Sequence, residues 1–450
     1  MIAINQLEND LNARDLSTRS RALEQLAAQA RAGRISLPTP REAANMHAHT
    51  FFSYNAYGHS PSSLAWLGRT EAIKLIGIVD FDVLDAVDEW YRACDAVELR
   101  ASAGLETRVF IPAFADVEIN SPGEPGVAYH MGIGFVSGRI PARVRPIARD
   151  LRRRAQQRNL GLLQRVNAYL DPIMLDYQRD VLPLTPSGNA TERHLVAAYI
   201  EAARARFDDP APFWAEKLIL AEEDVRALMG ESGDAPAFQT LIRKKLMKRG
   251  GVGYVQPGPE TFPDIAAFHE LITACGALPC AAWLDGMSEG EQQVEALLEM
   301  LISHGVVALN IIPDRNWNIA DPVLRQKKIA NLYAVVDLAR ELALPVHVGT
   351  EMNSFGQKFV DDFDAPALAP VRRAFMDGAY FIYGHVMMAR ALDRGYQSVW
   401  AQQHLPTRRD RTDFYTRVGR LIPPGKPGLA LLRDLAPILS PNKIIDKIEK

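Results

Sequence analysis

Residues 45–50 read Asn45-Met46-His47-Ala48-His49-Thr50, and this short apolar run decides how the rest of the chain is interpreted. Side chains two apart on a β-strand point to the same side. If the run is a strand, His47 and His49 present two imidazoles together at its carboxyl end. That is a compact way to hold a divalent metal ion.

Six more short apolar runs follow, and most of them precede a turn or a helical pattern. They span residues 75–80, 103–111, 128–136, 277–284, 306–312 and 344–350. Runs of this length alternating with helices indicate βα units, so the sequence predicts a parallel sheet or barrel of seven strands. Barrels of this type carry their functional side chains at the carboxyl ends of the strands.

The chain divides into five predicted segments. A mostly helical stretch interrupts the strands after the fourth one, and we expect it to act as a lid or an interface. The segments are an N-terminal helical segment (1–40), the first part of the barrel (41–140), the helical insertion (141–250), the second part of the barrel (251–400) and a C-terminal tail (401–450).

Composition limits the classes of protein that the chain can belong to. Its 450 residues are 48% hydrophobic and carry 51 basic and 54 acidic side chains, for a net charge of −3. This composition excludes disorder and gives no overall electrostatic case for binding nucleic acid or an anionic membrane. Three scattered cysteines, the absence of a signal-peptide pattern and the lack of a long apolar run predict a cytoplasmic protein.

The insertion carries two basic clusters. Seven arginines lie between residues 143 and 158, and five basic residues lie between 243 and 249. Each cluster is explained either by a solvated helix face or by a rim that attracts a phosphorylated substrate.

Three further residues fall in or after predicted strands. Glu106 is bordered by apolar neighbours, where a carboxylate is costly to bury unless it is paired or ligated. His130 lies in the fourth run, where a core role is the alternative, and Glu351 follows the seventh. One Glu bridging two cations, each completed by His and carboxylate ligands, would be a dinuclear hydrolase arrangement.

The opening stretch from His47 to Asn55, the sequence Gly-Ile-Val-Asp-Phe-Asp at 77–82 and Gly-Leu-Glu at 104–106 resemble the PHP superfamily of metal-dependent phosphoesterases. The resemblance covers roughly residues 41–136 and 250–355. It implies a distorted seven-stranded β/α barrel with up to three metals at the strand ends. The implied metal ligands are His47, His49, Glu106, His130 and Glu351, the last in place of the family's Asp.

The departures from the family pattern are informative as well. Tyr54, Phe81 and Asn353 stand where the family has Asp, His and His, which indicates the loss of one metal site. Trp283 ends an Ala-Ala-Trp sequence where the family has Ala-His-Pro, so another His is missing. Asp285 or His194 could substitute for it.

Two residues beside the implied ligands have open roles. His194 resembles part of an Arg and His motif of the family, and a metal ligand, a phosphate contact and a helix surface are all open for it. Arg315 follows the sixth run and could neutralise a phosphate, unless it pairs with Asp314 or another acid. His385 follows a further apolar run and is predicted to pack in the core.

The sequence therefore predicts a metal-dependent hydrolase, a phosphoesterase that acts on a small phosphorylated metabolite or nucleotide through a metal-activated water. Glu106, Arg315 and His194 are the predicted catalytic residues, and the cofactor is one or two divalent ions (Zn, Mn or Fe). No membrane or nucleic-acid partner is expected, and a homo-oligomer is compatible with the sequence. One alternative is a degenerate barrel with a binding or scaffolding role. Another is a C–N hydrolase or lyase, since Trp283, Phe81 and Tyr54 would line an apolar pocket.

Overall fold

Seven strands hydrogen-bond to one another in the order in which they follow along the chain, in a computed structural model that describes residues 3–450. The strands are β1 (Arg41–Ala48), β2 (Ile73–Phe81), β3 (Arg100–Phe110), β4 (Val127–Ile133), β5 (Leu278–Trp283), β6 (Ala308–Ile311) and β7 (Val346–Val348). A parallel bridge between Ala48 and Glu351 joins the end of β1 to the residues after β7, so the sheet nearly closes into a barrel.

The helices before the insertion are α1 (Ile4–Asp10), α2 (Leu16–Arg31), α3 (Pro61–Thr70) and α4 (Val87–Ala96). The insertion contains α5 (Arg145–Tyr169), α6 (Glu192–Arg206), α7 (Ala211–Leu218), α8 (Glu222–Met229) and α9 (Pro236–Ile242). Short 3₁₀ turns span Pro112–Phe114, Ala142–Val144 and Leu182–Leu184, and π-helical turns span Tyr177–Val181 and Arg243–Met247.

The later helices are α10 (Ile265–Ala274), α11 (Glu289–Gln292), α12 (Val294–Ser303), α13 (Asp314–Trp317), α14 (Pro322–Glu341), α15 (Arg372–Leu392), α16 (Val399–His404), α17 (Arg408–Leu421), α18 (Gly425–Asp434) and α19 (Pro441–Ile448). Several begin at side chains that satisfy a free backbone N–H. Asp15 accepts from the backbone of Thr18 at the start of α2, and Asp321 accepts from that of Leu324 at the start of α14. No helix among residues 3–450 combines the length and the apolar character needed to cross a membrane.

The predicted seven-stranded barrel with a helical insertion after the fourth strand is confirmed, and it agrees with the fold implied by the PHP resemblance. One direction differs from the parallel arrangement expected from βα units. β4 runs antiparallel to both β3 and β5, while the other neighbouring pairs are parallel. The 16-residue connection from β3 to β4 contains only a 3₁₀ turn, and antiparallel neighbours need no helical crossover.

Two separate groups of buried apolar residues hold the chain together. The larger fills the barrel and the space under its surrounding helices, and it includes Leu7 of α1, Leu26 of α2 and Tyr415 of α17. The smaller lies entirely within the insertion, between Leu162 and Met247. The start of α5, which includes Leu151, packs with the larger group, so the insertion is joined to the barrel there and has its own core beyond it.

One glycine allows the last strand of the barrel to approach the first strand closely. Gly349 directly follows β7, and a Cβ built there would fall 2.5 Å from the backbone nitrogen of His47. No larger residue fits at that position without moving β1. The approach of β7 to β1 therefore depends on this glycine.

Candidate metal centre

His47, His49 and Glu106 form one buried group beside the carboxyl ends of β1 and β2. His47 lies on β1, His49 just beyond its end, and Glu106 near the middle of β3 opposite Phe81 of β2. The Nε2 atoms of both imidazoles lie 3.2 Å from the same oxygen, Oε2 of Glu106. All three side chains are at most 4% exposed, and this is the only group of three or more potential metal-ligating side chains among residues 3–450.

The other nitrogen of each imidazole is held by a polar partner. Nδ1 of His47 lies 3.0 Å from Oδ1 of Asn310, and Nδ1 of His49 lies 3.2 Å from Oγ of Ser53. Ser53 Oγ–H itself donates to Asp80 over 2.6 Å, so Oγ accepts from the Nδ1–H of His49. Each Nδ1 is therefore occupied by a polar partner, and Nε2 is the ring nitrogen that each imidazole directs at Glu106.

A chain of buried polar groups extends from His47 through the barrel interior. Asn310 Nδ2–H donates to Nδ1 of His347 over 3.2 Å, and Nε2 of His347 lies 3.2 Å from Sγ of Cys280. Burial, together with the neighbouring His47, lowers the pKa of His347 to about 3, so this imidazole is neutral. The neutral ring leaves Nδ1 free to accept, which fixes the Asn310 amide with its oxygen towards His47.

The residues of the group fit a divalent ion. Nε2 of His49 is buried and has no hydrogen-bond partner in the protein, although it faces a carboxylate oxygen. A tetrahedral ion with bonds of about 2.0–2.1 Å separates its ligand atoms by about 3.3 Å, close to the 3.2 Å found for both nitrogen–oxygen pairs. Metal-ligating histidines also donate their second ring N–H to a polar partner, as both do here.

Glu106 and the neighbouring imidazoles shift each other's pKa values. Burial opposes ionisation of Glu106, but His47 and His49 outweigh it and lower the pKa of the carboxyl to about 2. Burial also lowers the pKa of His47, and the charge and hydrogen bond of Glu106 reverse the effect, so its pKa is raised overall. A carboxylate held ionised between two imidazoles is a site for a cation.

Glu351, the remaining implied acid, lies beside this group but is held by other partners. Its backbone N–H donates to the carbonyl of His47 over 2.7 Å, and its carbonyl accepts from the N–H of His49 over 2.8 Å. Its carboxylate accepts from Arg315 over 2.7 Å and from Gln357 over 3.0 Å. Arg315 therefore pairs with an acid of the cavity rim, as one of its two sequence interpretations anticipated.

The structure does not bring His130 to the group. Its Nε2 lies 2.7 Å from Nε2 of His269 on α10, and the ring is buried beside Phe268. The reason is the face of the sheet on which residue 130 lies. Residue 130 pairs with Thr107, and paired residues share a face of the sheet. Because Thr107 and its neighbour Glu106 point to opposite faces, His130 points away from the side that carries Glu106.

His194 and Asp285, the two suggested substitutes, also have structural partners. The side chain of His194 accepts from the backbone N–H of Thr191 over 3.1 Å and closes the first turn of α6. Burial lowers its pKa to about 4. Asp285 pairs with Lys328 over 2.7 Å. Neither residue joins the three-residue group or lines the cavity described next.

The positions that depart from the family pattern surround the group with aromatic and amide side chains. The ring of Phe81 stacks on that of His49, while Tyr54, Trp283 and Asn353 line the adjacent cavity. His385 lies in the core away from the site, where its ring bonds to the backbone of Gly134 and Tyr396.

A cavity of about 690 Å³ opens onto His47 and Glu106 and is roofed by the insertion. Eight cationic side chains line it: Arg108, Arg154, Arg158, Arg165, Arg193, Arg243, Lys248 and Arg315. Six acidic side chains face them: Asp82, Glu106, Glu124, Glu192, Glu260 and Glu351. The excess of positive charge favours an anionic ligand. Each basic cluster of the insertion contributes two of these cations. The sequence alone could not show which members of a cluster line the cavity and which face solvent.

Arg193 is a buried cation of this cavity without an acidic partner at ion-pair distance. Two arginines of the described chain are buried, Arg19 and Arg193. Arg19 is paired with Glu89 through two nitrogens, whereas no carboxylate lies within 4.0 Å of Arg193. The guanidinium of Arg193 contacts only the hydroxyl of Ser354 and the face of the Tyr54 ring. A buried charge without a counter-ion at contact distance is costly, and this cost favours an anionic ligand in the cavity.

The sequence matches no protein-family model and no curated protein. Among solved structures, a similar one is an amidohydrolase from Chromobacterium violaceum with bound sulfate and no metal (TM-score 0.47, 13% identity, 75% of this chain and 96% of that chain). Another, from Bifidobacterium adolescentis, is provisionally assigned as a metal-dependent phosphoesterase (TM-score 0.46, 15% identity, 75% of this chain and 98% of that chain). Likeness at this level assigns no activity to this chain.

Proposed function

We propose that this protein is a metal-dependent hydrolase, and specifically a phosphoesterase that acts on a small phosphorylated molecule. One observation carries the proposal: the Nε2 atoms of two imidazoles lie 3.2 Å from the same oxygen of Glu106, at the base of a cavity with excess positive charge. His47, His49 and Glu106 would hold one divalent ion, and Asn310 and Ser53 fix the orientation of the two rings.

The ion, when bound, supplies a Lewis acid for a phosphoryl oxygen and activates water. The side chains of this chain bind and orient the substrate around it. Arg193, which lacks a counter-ion, and Arg315, on the exposed side of the cavity, would bind the remaining oxygens of the phosphoryl group. Phe81 and Trp283 contribute apolar surface that limits access of bulk water to the group.

The cavity also favours a small substrate over a polymer. Its volume of about 690 Å³ lies in the usual range for small-molecule sites, and the insertion covers it. A phosphate attached to a small organic group fits such a space, with the aromatic side chains of Tyr54, Tyr129 and Phe262 against the organic part.

The first experiment measures metal content by elemental mass spectrometry in the parent and in Glu106→Gln. Glu124→Gln is the matched control, because Glu124 lines the same cavity but pairs with Arg108 over 2.6 Å. We expect Zn, Mn or Fe in the parent and in Glu124→Gln, and loss of the metal in Glu106→Gln. Retention of the metal in Glu106→Gln would contradict the assignment of the group.

The second experiment tests the reaction with p-nitrophenyl phosphate, p-nitrophenyl acetate and a p-nitroanilide. We expect hydrolysis of the phosphate ester, lost with a chelator and lowered more than about a hundred-fold in Glu106→Gln, since removing even an indirect partner of a metal ligand costs 10–100-fold. Hydrolysis of the anilide alone would indicate a C–N hydrolase and contradict the phosphoesterase.

A binding protein on the same fold is the second candidate. Only three side chains converge at the group, Phe81 covers one face of His49, and Glu351 is held by Arg315. This candidate predicts bound metal and tight binding of phosphorylated ligands without turnover. Hydrolysis of any ester in the panel that depends on Glu106 would exclude it.

A further inference from the structure

Glu351 is fixed next to the metal group by its backbone. It stands between His47 and His49, with its N–H on the carbonyl of the first and its carbonyl on the N–H of the second. Glu351 and the following Met352 both have positive φ, at 64° and 57°. Side-chain-bearing residues rarely adopt this conformation unless the surroundings impose it, so the position of Glu351 is set by the closure of the barrel.

The carboxylate of Glu351 points to partners other than the two imidazoles. Its Oε2 accepts from Nη2 of Arg315 over 2.7 Å and from Nε2 of Gln357 over 3.0 Å. It is therefore absent from the set of ligand atoms formed by His47, His49 and Glu106. Three protein ligands leave a fourth position open on a tetrahedral ion, and a neighbouring carboxylate is a suitable group to fill it.

The two members of this pair differ in exposure. The side chain of Arg315 is 43% exposed and faces the cavity, while that of Glu351 is 13% exposed. An ion pair with one exposed partner is weak, because water solvates the arginine when it leaves. An anionic ligand in the cavity would compete with Glu351 for Arg315, and a divalent ion would compete with Arg315 for Glu351.

The geometry points to an exchange of partners at this pair. An anion that binds Arg315 draws it away from Glu351, and the released carboxylate completes the coordination of the ion held by His47, His49 and Glu106. Anion binding and metal binding then strengthen each other, because coupling between two sites is reciprocal. Arg315 acts here as a positioning residue for Glu351, and the inference rests on the proposed metal-dependent function.

The test measures Co²⁺ affinity by chelator competition, with sulfate as the anion and chloride at matched ionic strength as its reference. In the parent we expect sulfate to tighten Co²⁺ binding about five-fold or more, the usual lower size of such coupling. Arg315→Gln is expected to bind Co²⁺ tightly without sulfate and to show no sulfate effect. Glu351→Gln is expected to bind Co²⁺ weakly under both conditions.

A double-variant cycle separates exchange from a general charge effect. In the Glu351→Gln background, Arg315→Gln should not change Co²⁺ affinity, because the carboxylate that it releases is gone. Lys248→Gln is the matched control: it removes a cation of the same cavity that pairs with Glu192, and sulfate coupling should persist. Equal tightening by Lys248→Gln, or by Arg315→Gln in both backgrounds, would overturn the exchange.

Two further readouts keep the inference testable if Arg315→Gln fails to fold. Gln357→Ala removes the other donor to Glu351 and should tighten Co²⁺ binding by a smaller factor. The visible spectrum of bound Co²⁺ should change on adding sulfate in the parent but not in Glu351→Gln. A parent that binds no Co²⁺ contradicts the proposed function itself, whereas binding without any of these changes contradicts only the exchange.

Discussion

The ring of Phe81 stacks on the imidazole of His49, with centroids 4.4 Å apart and an angle of 21° between the planes. Phe81 ends β2 and stands in register with Glu106 of β3. The phenyl ring therefore covers one face of His49 and offers no metal-ligating atom there. This contact gives a physical meaning to the replacement of a family histidine by phenylalanine.

We expect the protein to bind one divalent ion tightly and not two. His130 pairs with His269 of α10, away from Glu106, and Glu351 pairs with Arg315. A second complete set of ligands therefore does not form among the described residues. Titration with Zn²⁺ or Mn²⁺, followed by elemental analysis of the desalted protein, gives the number. Two tightly bound equivalents per chain would refute this expectation.

Asn310→Leu is expected to weaken metal binding about 10–100-fold while leaving the three ligands in place, because Nδ1 of His47 loses its acceptor. Asn167→Leu is the matched control. Asn167 is likewise buried and makes three hydrogen bonds within the insertion, two with the backbone of Leu175 and one in which it accepts from the hydroxyl of Tyr199. The control should lose stability without losing metal affinity. Equal metal affinities in the two variants would show that Asn310 does not orient His47.

Arg19→Met is expected to lower the free energy of unfolding by about 3–5 kcal/mol, because it leaves Glu89 buried without its counter-ion. Chemical denaturation measures the change. The control is Arg340→Met, which breaks a pair with Asp337 whose side chains are 74% and 61% exposed. That variant should stay within about 1 kcal/mol of the parent. Similar losses in both variants would contradict the role given to burial.

The free energy of unfolding should decrease as the pH is lowered below about 6.5, and His385 is expected to contribute to this decrease. Its ring is fully buried and held neutral, with Nε2–H donating to Gly134 over 3.1 Å and Nδ1 accepting from Tyr396 over 3.0 Å. Burial lowers its pKa to about 4. Between that value and 6.5 the unfolded chain binds more protons than the folded one, so acid favours unfolding by up to about 1.4 kcal/mol per pH unit.

The measurement for His385 is the free energy of unfolding between pH 7 and pH 4.5 in the parent and in His385→Gln. The variant should be less stable at pH 7 but lose less stability on acidification. A slope unchanged by the substitution would assign the acid sensitivity to other groups. His194, whose pKa is also lowered to about 4 by burial, offers a second variant for comparison.

Local sequence patterns predicted the strands well, because a strand that is buried on both faces is a short continuous apolar run whichever strands lie beside it. The direction of β4 was not accessible in this way. The apolar pattern of a strand is the same for either chain direction. The short connection before β4 contained no helical pattern from which the direction could be inferred. The pattern also did not show which face of the sheet carries His130, which pairs with Thr107 and so points away from the side of Glu106.

The sequence by itself determined the seven strands, the insertion after the fourth and the pairing of His47 with His49, since residues two apart on a strand share a face. Only the tertiary structure decided which residues complete the site. Asn310 lies 263 positions from His47, and Arg315 lies 36 from the glutamate that it holds. These partners come together only when the barrel closes. A local sequence pattern does not show which distant side chain will form a hydrogen bond with a buried nitrogen or carboxylate.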